Sequence, residues 1–282
     1  MIPQARLGFG CGSLMRESSS KKRVALLDAA FNNGITHFDV ARMYGLGDAE
    51  RELGHFLRGK RDQVTVTSKC GLDVNPSLKK IGALQSVIRP LLKWSPGLKS
   101  FVKNRFSQKM TKKSRLTNAF ITHSLEKSLK ELQTDYLDYF LLHEPDPELV
   151  HPDETLTCLK KLQQAGKIRQ FGIAGFLEHT EPFKNQFPEL SHVLQSNAII
   201  SAIPTSTDTL RITFSVVSQG LDWVQKFAST HPEKMAAIHK KTGDDIVLQA
   251  FLVAMQDNPS GIVLFSTSKL AHLLKVAQLN DH

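Results

Sequence analysis

The sequence predicts a single-domain (β/α)8 barrel over residues 1–282, and three observations lead to this fold class. Short β-prone runs alternate with helical runs along the chain, no linker or low-complexity tract separates them, and 282 residues suffice for one barrel. Strict alternation at this length favours a closed barrel over a doubly wound sheet. The eight strand candidates are residues 7–12, 36–40, 64–69, 136–142, 168–174, 193–200, 212–218 and 261–265.

The helices between these strands are indicated by apolar spacing and by residues that end or begin helices. The run of residues 21–33 stops at Gly34, and the run of residues 154–165 stops at Gly166. Asp48 is placed to cap a helix that carries Leu53 and Leu57 on one face. Further helices are predicted for residues 117–132, 232–241, 244–256 and 269–279.

The composition indicates a globular protein, because 41% of the residues are hydrophobic and 22% are charged. We see no secretory leader and no apolar run of membrane-spanning length, and we therefore expect a cytoplasmic protein, a monomer or a weak oligomer. The three cysteines, Cys11, Cys70 and Cys158, form no CxxC pair, which argues against a disulfide framework or a structural zinc site.

Reactive side chains collect where three successive strands are predicted to end. Asp39 ends the second strand, Lys69 the third and His143 the fourth, while Tyr44 lies in the loop after the second. Neighbouring strands lie ~5 Å apart, so all four groups can meet over one mouth of a barrel. A cation beside a phenol lowers its pKa, and a carboxylate keeps a buried ammonium charged. The histidine can donate a hydrogen bond to a carbonyl oxygen that gains negative charge.

Motifs in the same order along nearly the whole chain resemble those of the aldo-keto reductase family. They are residues 38–45 (FDVARMYG), Lys69 after a TVTS strand, residues 135–143 (DYLDYFLLH), residues 166–169 (GKIR) and the Ser/Thr loop at Ser266. The resemblance implies a general acid at Tyr44, which protonates the substrate carbonyl, tuned by Lys69 with Asp39. It also implies that His143 orients a small carbonyl substrate while a reduced nicotinamide delivers hydride.

The resemblance further implies a nicotinamide cofactor, NADPH with NADH as the alternative, and no metal. The hydroxyls and backbone N–H groups of the loop after the last strand would meet its phosphates, and Gln195 falls where the family contacts the carboxamide. The implied cofactor-binding residues are Ala174, Gly175, Gln195, Ser218, Ser266, Thr267, Ser268 and His272.

The chain differs from its family at several of these positions. Many relatives carry Ser-Asn where this chain has Ala174-Gly175, so the two carboxamide contacts are either missing or made by backbone groups. No tyrosine that could stack on the nicotinamide is found around residues 216–217. Phe265 stands where some relatives place a lysine for the 2′-phosphate, which leaves Lys269 and His272 as the nearby cations.

A basic insertion is predicted at residues 74–115, after the third strand. It holds eleven Lys or Arg residues and no Asp or Glu, while the whole chain carries +9, so the rest of the chain has a net −2. Apolar residues at helical spacing, with Trp94 and Phe101 close behind, suggest a lid over the substrate. A solvent-exposed surface loop without contact to the substrate fits the sequence equally well. A basic helix on an anionic membrane or a nucleic acid is a third, less favoured interpretation.

Two other functions compete with reduction. His37, Asp39 and His143 could serve a metal hydrolase on the same barrel, but that interpretation leaves Tyr44 and Lys69 without a role. A nucleotide-sensing regulatory or scaffold protein would keep the four reactive residues and turn over little substrate. Nucleic acid is not an expected partner.

Overall fold

A computed structural model describes residues 6–74, 111–197, 209–218 and 220–281. The described strands are β1 (Arg6–Gly10), β2 (His37–Asp39), β3 (Thr65–Cys70), β4 (Leu72–Val74), β5 (Thr111–Lys113), β6 (Leu137–His143), β7 (Ile168–Ala174), β8 (Val193–Asn197), β9 (Leu210–Phe214) and β10 (Ile262–Phe265). All except β4 and β5 form a closed barrel. Around it the order is β1, β2, β3, β6, β7, β8, β9 and β10, and β10 pairs with β1. Because every barrel pair is parallel, the carboxyl ends of the strands meet at one mouth, which confirms the predicted fold class.

The described helices surround this barrel. They are α1 (Ser20–Asn32), α2 (Asp48–Leu57), α3 (Asn118–Leu132), α4 (Pro152–Gln164), α5 (Leu177–Gln186), α6 (Asp222–Thr230), α7 (Pro232–Thr242), α8 (Ile246–Asp257) and α9 (Leu270–Ala277). No helix in the described ranges is both long and apolar enough to cross a membrane.

The helix α2 packs closely on both of its neighbours. The Phe56 ring lies 4.8 Å, centroid to centroid, from the Phe38 ring of β2, and both rings are fully buried. Burying one such side chain contributes about 1.5–3 kcal/mol. At Gly54 a Cβ atom would lie 2.5 Å from the Glu131 carbonyl oxygen, so only glycine allows α3 to approach this closely.

The structure corrects three details of the sequence analysis. Asp48 is the first residue of α2 and pairs with Arg51, while Gly47 takes the cap position at φ +98°. The strand predicted for residues 212–218 ends at Phe214, because Ser215 turns the backbone to φ +59°. The helices α5 and α6 were not predicted, and α5 contains Pro182, which obscures the helical pattern.

The basic insertion leaves the barrel through a small antiparallel pair. Leu72–Val74 pairs with Thr111–Lys113, directly after β3. Residues 75–110 lie outside the described residues, and so do Trp94 and Phe101, on which the predicted lid depends.

A buried carboxylate ties three barrel strands together. Asp138 of β6 is 3% exposed and accepts a hydrogen bond from the Val66 backbone N–H of β3 at 2.9 Å. It also pairs with Arg61 at 2.8 Å and with Arg169 of β7 at 3.2 Å. The three donors satisfy the carboxylate, which would otherwise be costly to bury.

Candidate active site

The four predicted catalytic side chains come from three neighbouring strands. Asp39 ends β2, Lys69 is the penultimate residue of β3, and His143 ends β6. Because β3 pairs with both β2 and β6, the three side chains emerge side by side. Tyr44 begins a short 3-10 turn in the loop after β2. All four line one cavity of about 700 Å³ at the barrel mouth.

Lys69 and Asp39 form a buried ion pair in the lining of this cavity. The Lys69 Nζ atom lies 2.7 and 2.8 Å from the two Asp39 carboxylate oxygens and donates to the Val40 carbonyl at 3.1 Å. Burial acts to lower the pKa of Lys69, but the nearby Asp39 and Tyr44 outweigh it, and the pKa lies above its ordinary value. Lys69 is therefore a fixed cation at physiological pH.

Tyr44 lies next to this cation. The Lys69 Nζ atom is 5.1 Å from the centroid of the Tyr44 ring, so the ammonium lies against the phenol. Burial of the phenol raises the pKa of Tyr44, while Lys69 acts to lower it, as the sequence analysis expects. Burial has the larger effect, so the net pKa lies above the ordinary value. Tyr44 consequently keeps its proton at neutral pH.

His143 faces Tyr44 across the cavity. The two rings meet edge to face with their centroids 6.5 Å apart. Burial, with a smaller contribution from the Lys69 charge, lowers the pKa of His143 to about 3. The imidazole is therefore neutral above about pH 4 and carries one N–H donor.

Most of the predicted cofactor-binding residues line the same cavity. They are Ala174, Gly175, Gln195, Ser218, Ser266, Thr267 and His272, whereas Ser268 is not part of the lining. The Gln195 Nε2 atom donates to Asp39 Oδ2 at 2.8 Å, which leaves the Gln195 carbonyl oxygen as its acceptor.

Ser266 joins two loops of the mouth. Its hydroxyl donates to the Gly10 carbonyl at 2.6 Å and accepts a hydrogen bond from the Ser13 backbone N–H at 3.2 Å. The Ser13 hydroxyl lies 2.7 Å from it. The Ser266 hydroxyl therefore holds the loop after β1 against the loop after β10, a contact that the sequence analysis did not foresee.

Sequence reasoning missed several residues of the cavity, and Phe214 and Glu144 are two of them. Phe214 ends β9 and contributes an aromatic ring to the lining, two residues before the segment in which a tyrosine was sought. Its ring packs edge to face on Phe176, with 5.7 Å between centroids. Glu144 directly follows His143 and also lines the cavity. A signal existed for both, since each lies at or just after the end of a barrel strand.

The described residues contain no group of three or more His, Cys, Asp or Glu side chains that could hold a metal ion. His37, considered as a metal ligand, lies in the barrel interior, where its Nδ1 atom is 2.9 Å from the Thr65 hydroxyl. Cys11, Cys70 and Cys158 are free and buried, and burial raises the pKa of Cys11.

Comparison with known proteins identifies the family. The model of the Aldo/keto reductase family matches residues 6–183. The chain belongs to this family. Aldo-keto reductase YhdN of Bacillus subtilis (strain 168) is 32% identical over 194 residues, which are 66% of this chain and 48% of that protein. The 6-dehydroglucose reductase of Agrobacterium fabrum is 31% identical over 155 residues, 54% of this chain and 43% of that protein.

These alignments span less than half the length of the two relatives. The fold agrees over a wider range. An aldo/keto reductase from Klebsiella pneumoniae, solved in complex with NADP and acetate, superposes with a TM-score of 0.67 at 18% identity. That superposition covers 100% of this chain and 91% of the other.

Proposed function

We propose that this protein reduces an aldehyde or ketone to an alcohol with a nicotinamide cofactor, NADPH or alternatively NADH. The observation that carries the proposal is the Tyr44–Lys69–Asp39 chain at the cavity, with His143 opposite the phenol. It supplies a proton donor, a fixed cation and a neutral hydrogen-bond donor around one position where a carbonyl oxygen can lie.

The proton on the product hydroxyl comes from Tyr44. Its raised pKa keeps the phenol protonated before reaction, and the Lys69 ammonium stabilises the phenolate that proton transfer leaves behind. Asp39 keeps that ammonium charged and in position, because both of its carboxylate oxygens contact Lys69 Nζ. The neutral His143 donates a hydrogen bond to the same carbonyl oxygen, which aligns the substrate.

The described residues fit a nicotinamide cofactor. The Phe214 ring can stack on a planar aromatic ring, and the Gln195 carbonyl oxygen can accept a hydrogen bond from a carboxamide. The backbone of the loop at Thr267, just before α9, supports phosphate binding. When bound, the nicotinamide supplies the hydride. The complex of the Klebsiella pneumoniae reductase with NADP agrees with this assignment.

A nucleotide sensor with little turnover is the second candidate. It is favoured by Ala174 and Gly175, since neither side chain can hydrogen-bond a carboxamide. The two functions are separated by mixing the protein with NADPH and a panel of aldehydes and following the loss of NADPH absorbance. Reduction of any member at a rate that saturates with substrate supports the reductase. Saturable NADPH binding without turnover on the whole panel would instead establish the sensor.

A further inference from the structure

The charged side chains that line the cavity differ in whether they have a partner. Lys69 pairs with Asp39, and Lys275 pairs with the carboxylate that caps α8. Within the described part of the chain, the Arg16 and Glu144 side chains form no ion pair or hydrogen bond. Arg16 is exposed, whereas Glu144 is half-buried beside the catalytic histidine.

The backbone fixes the position of Glu144 at the cavity. The residue follows His143 at φ +48°, and its N–H donates to the Ala174 carbonyl at 2.6 Å. A Cβ atom added at Gly175 would lie 3.1 Å from Glu144 Cγ. The missing side chain at Gly175 therefore makes room for the Glu144 side chain over the end of β7.

The lining of this cavity is largely apolar. Phe176, Phe214, Val216 and Val217 all contribute to it. A substrate bound here takes water away from Glu144, and a carboxylate that loses water without gaining a donor is strongly destabilised. A substrate with its own N–H or O–H donor would restore that hydrogen bond, whereas a carboxylate on the substrate would repel it.

We propose that Glu144 determines substrate specificity, favouring carbonyl compounds that carry a hydroxyl or ammonium donor and disfavouring those that carry a carboxylate. The inference rests on the proposed reductase function and adds the substrate class to it. Glu144 acts on the part of the substrate away from the reacting carbonyl, which Tyr44 and His143 hold.

The test compares benzaldehydes that differ only in the 4-substituent: methyl, hydroxymethyl, protonated dimethylaminomethyl and carboxylate. For each, kcat/KM is divided by the value for the methyl compound. In Glu144→Gln the ratio for the ammonium compound should fall about tenfold, and the ratio for the carboxylate should rise about tenfold. Glu148→Gln is the matched control, because it removes the same charge from an exposed position in the same loop outside the cavity lining.

The kcat/KM ratio for the hydroxymethyl compound shows which kind of group Glu144 recognises. If its ratio falls together with that of the ammonium compound, Glu144 acts as a hydrogen-bond acceptor; if only the ammonium ratio falls, it selects cations. A second measurement needs no variant: raising the salt concentration to ~0.5 M should reduce the preference of the unmutated protein for the ammonium compound.

Equal ratios in Glu144→Gln and the unmutated protein would overturn the assignment while leaving the reductase function intact. Absence of turnover with all four compounds would count against the reductase function itself, and the proposed role of Glu144 in substrate specificity would then also be wrong.

Discussion

The Gln195 amide donates to Asp39 Oδ2 at 2.8 Å and so links β8 to β2 across the barrel, although the two residues are 156 positions apart. Asp39 thereby has two donors, the Gln195 amide and the Lys69 ammonium. The carboxylate is 2% exposed and has little water to replace either of them. The position of the Lys69 ammonium, and hence the environment of Tyr44, depends on this cross-barrel contact.

Replacing Gln195 with leucine should destabilise the fold. Asp39 Oδ2 loses its amide donor in a buried site, which should lower the free energy of unfolding by about 1–3 kcal/mol in urea denaturation. Gln170→Leu is the control, because Gln170 is exposed on β7, and it should change stability by less than about 0.5 kcal/mol. A Gln195 variant as stable as this control would show that the cross-barrel hydrogen bond contributes little.

Replacing Tyr44 with phenylalanine should remove the proton donor while preserving the cavity. We expect kcat for carbonyl reduction to fall by about 10²–10⁴-fold. The affinity for NADPH, measured by fluorescence titration, should stay nearly the same, since in the proposed mechanism the hydroxyl transfers a proton and does not hold the nucleotide.

Tyr136→Phe is the control for this substitution. The Tyr136 hydroxyl contacts Asp62 at an exposed site, and Tyr136 does not line the cavity. Its loss should leave kcat close to that of the unmutated protein. If Tyr44→Phe retained most of the activity, another residue would have to be the acid.

His143 should make the stability depend on pH. Its pKa is about 3 in the folded protein, whereas the unfolded chain has the ordinary value of 6.5. Between pH 3 and pH 6.5 the unfolded chain therefore binds one more proton than the folded protein. The stabilisation is therefore complete above pH 6.5, the pKa of the unfolded chain, and it decreases as the pH falls from 6.5 towards 3. The slope from one such proton is at most about 1.4 kcal/mol per pH unit.

The measurement is urea denaturation at about pH 4.5 and at about pH 6. His143→Gln removes the imidazole that titrates. Its free energy of unfolding should therefore change less between the two pH values than that of the unmutated protein. His123→Gln removes an exposed imidazole from α3 and should behave like the unmutated protein. An identical pH dependence in all three proteins would contradict the lowered pKa of His143.

Another buried carboxylate connects the segments that carry Lys69 and Tyr44. Glu50 of α2 is fully buried, and burial raises its pKa. It accepts a hydrogen bond from the Ser68 hydroxyl, next to Lys69, at 2.7 Å, and lies 3.4 Å from Arg42, in the loop that precedes Tyr44. Glu50 therefore holds β3, α2 and this loop together.

Glu50→Ala removes the acceptor of Ser68 and the carboxylate that faces a buried guanidinium. It should lower the free energy of unfolding by about 3–5 kcal/mol, as measured by chemical denaturation. Glu181→Ala, at an exposed position in the middle of α5, should cost less than about 0.5 kcal/mol. A similar decrease in the free energy of unfolding in the two variants would mean that the Glu50 contacts do not stabilise the fold.

The sequence alone determined the barrel class, most helix and strand positions, and four side chains that meet at one mouth of the barrel. Each rests on local information: apolar spacing defines an element, and the residue after a strand lies at the mouth of a parallel barrel. Asp39, Lys69, His143 and Tyr44 could be named for this reason. The end of β9 was placed too late, because the positive φ of Ser215 has no local sequence signal as strong as glycine.

Only the tertiary structure decided which side chains meet across the mouth. The Gln195–Asp39 contact and the Ser266–Gly10 contact join residues 156 and 256 positions apart, and such pairs exist only once the barrel has closed. The same holds for the balance of pKa effects at Tyr44, where burial outweighs the neighbouring ammonium. Burial is the sum of many distant contacts, so no stretch of the chain encodes it by itself.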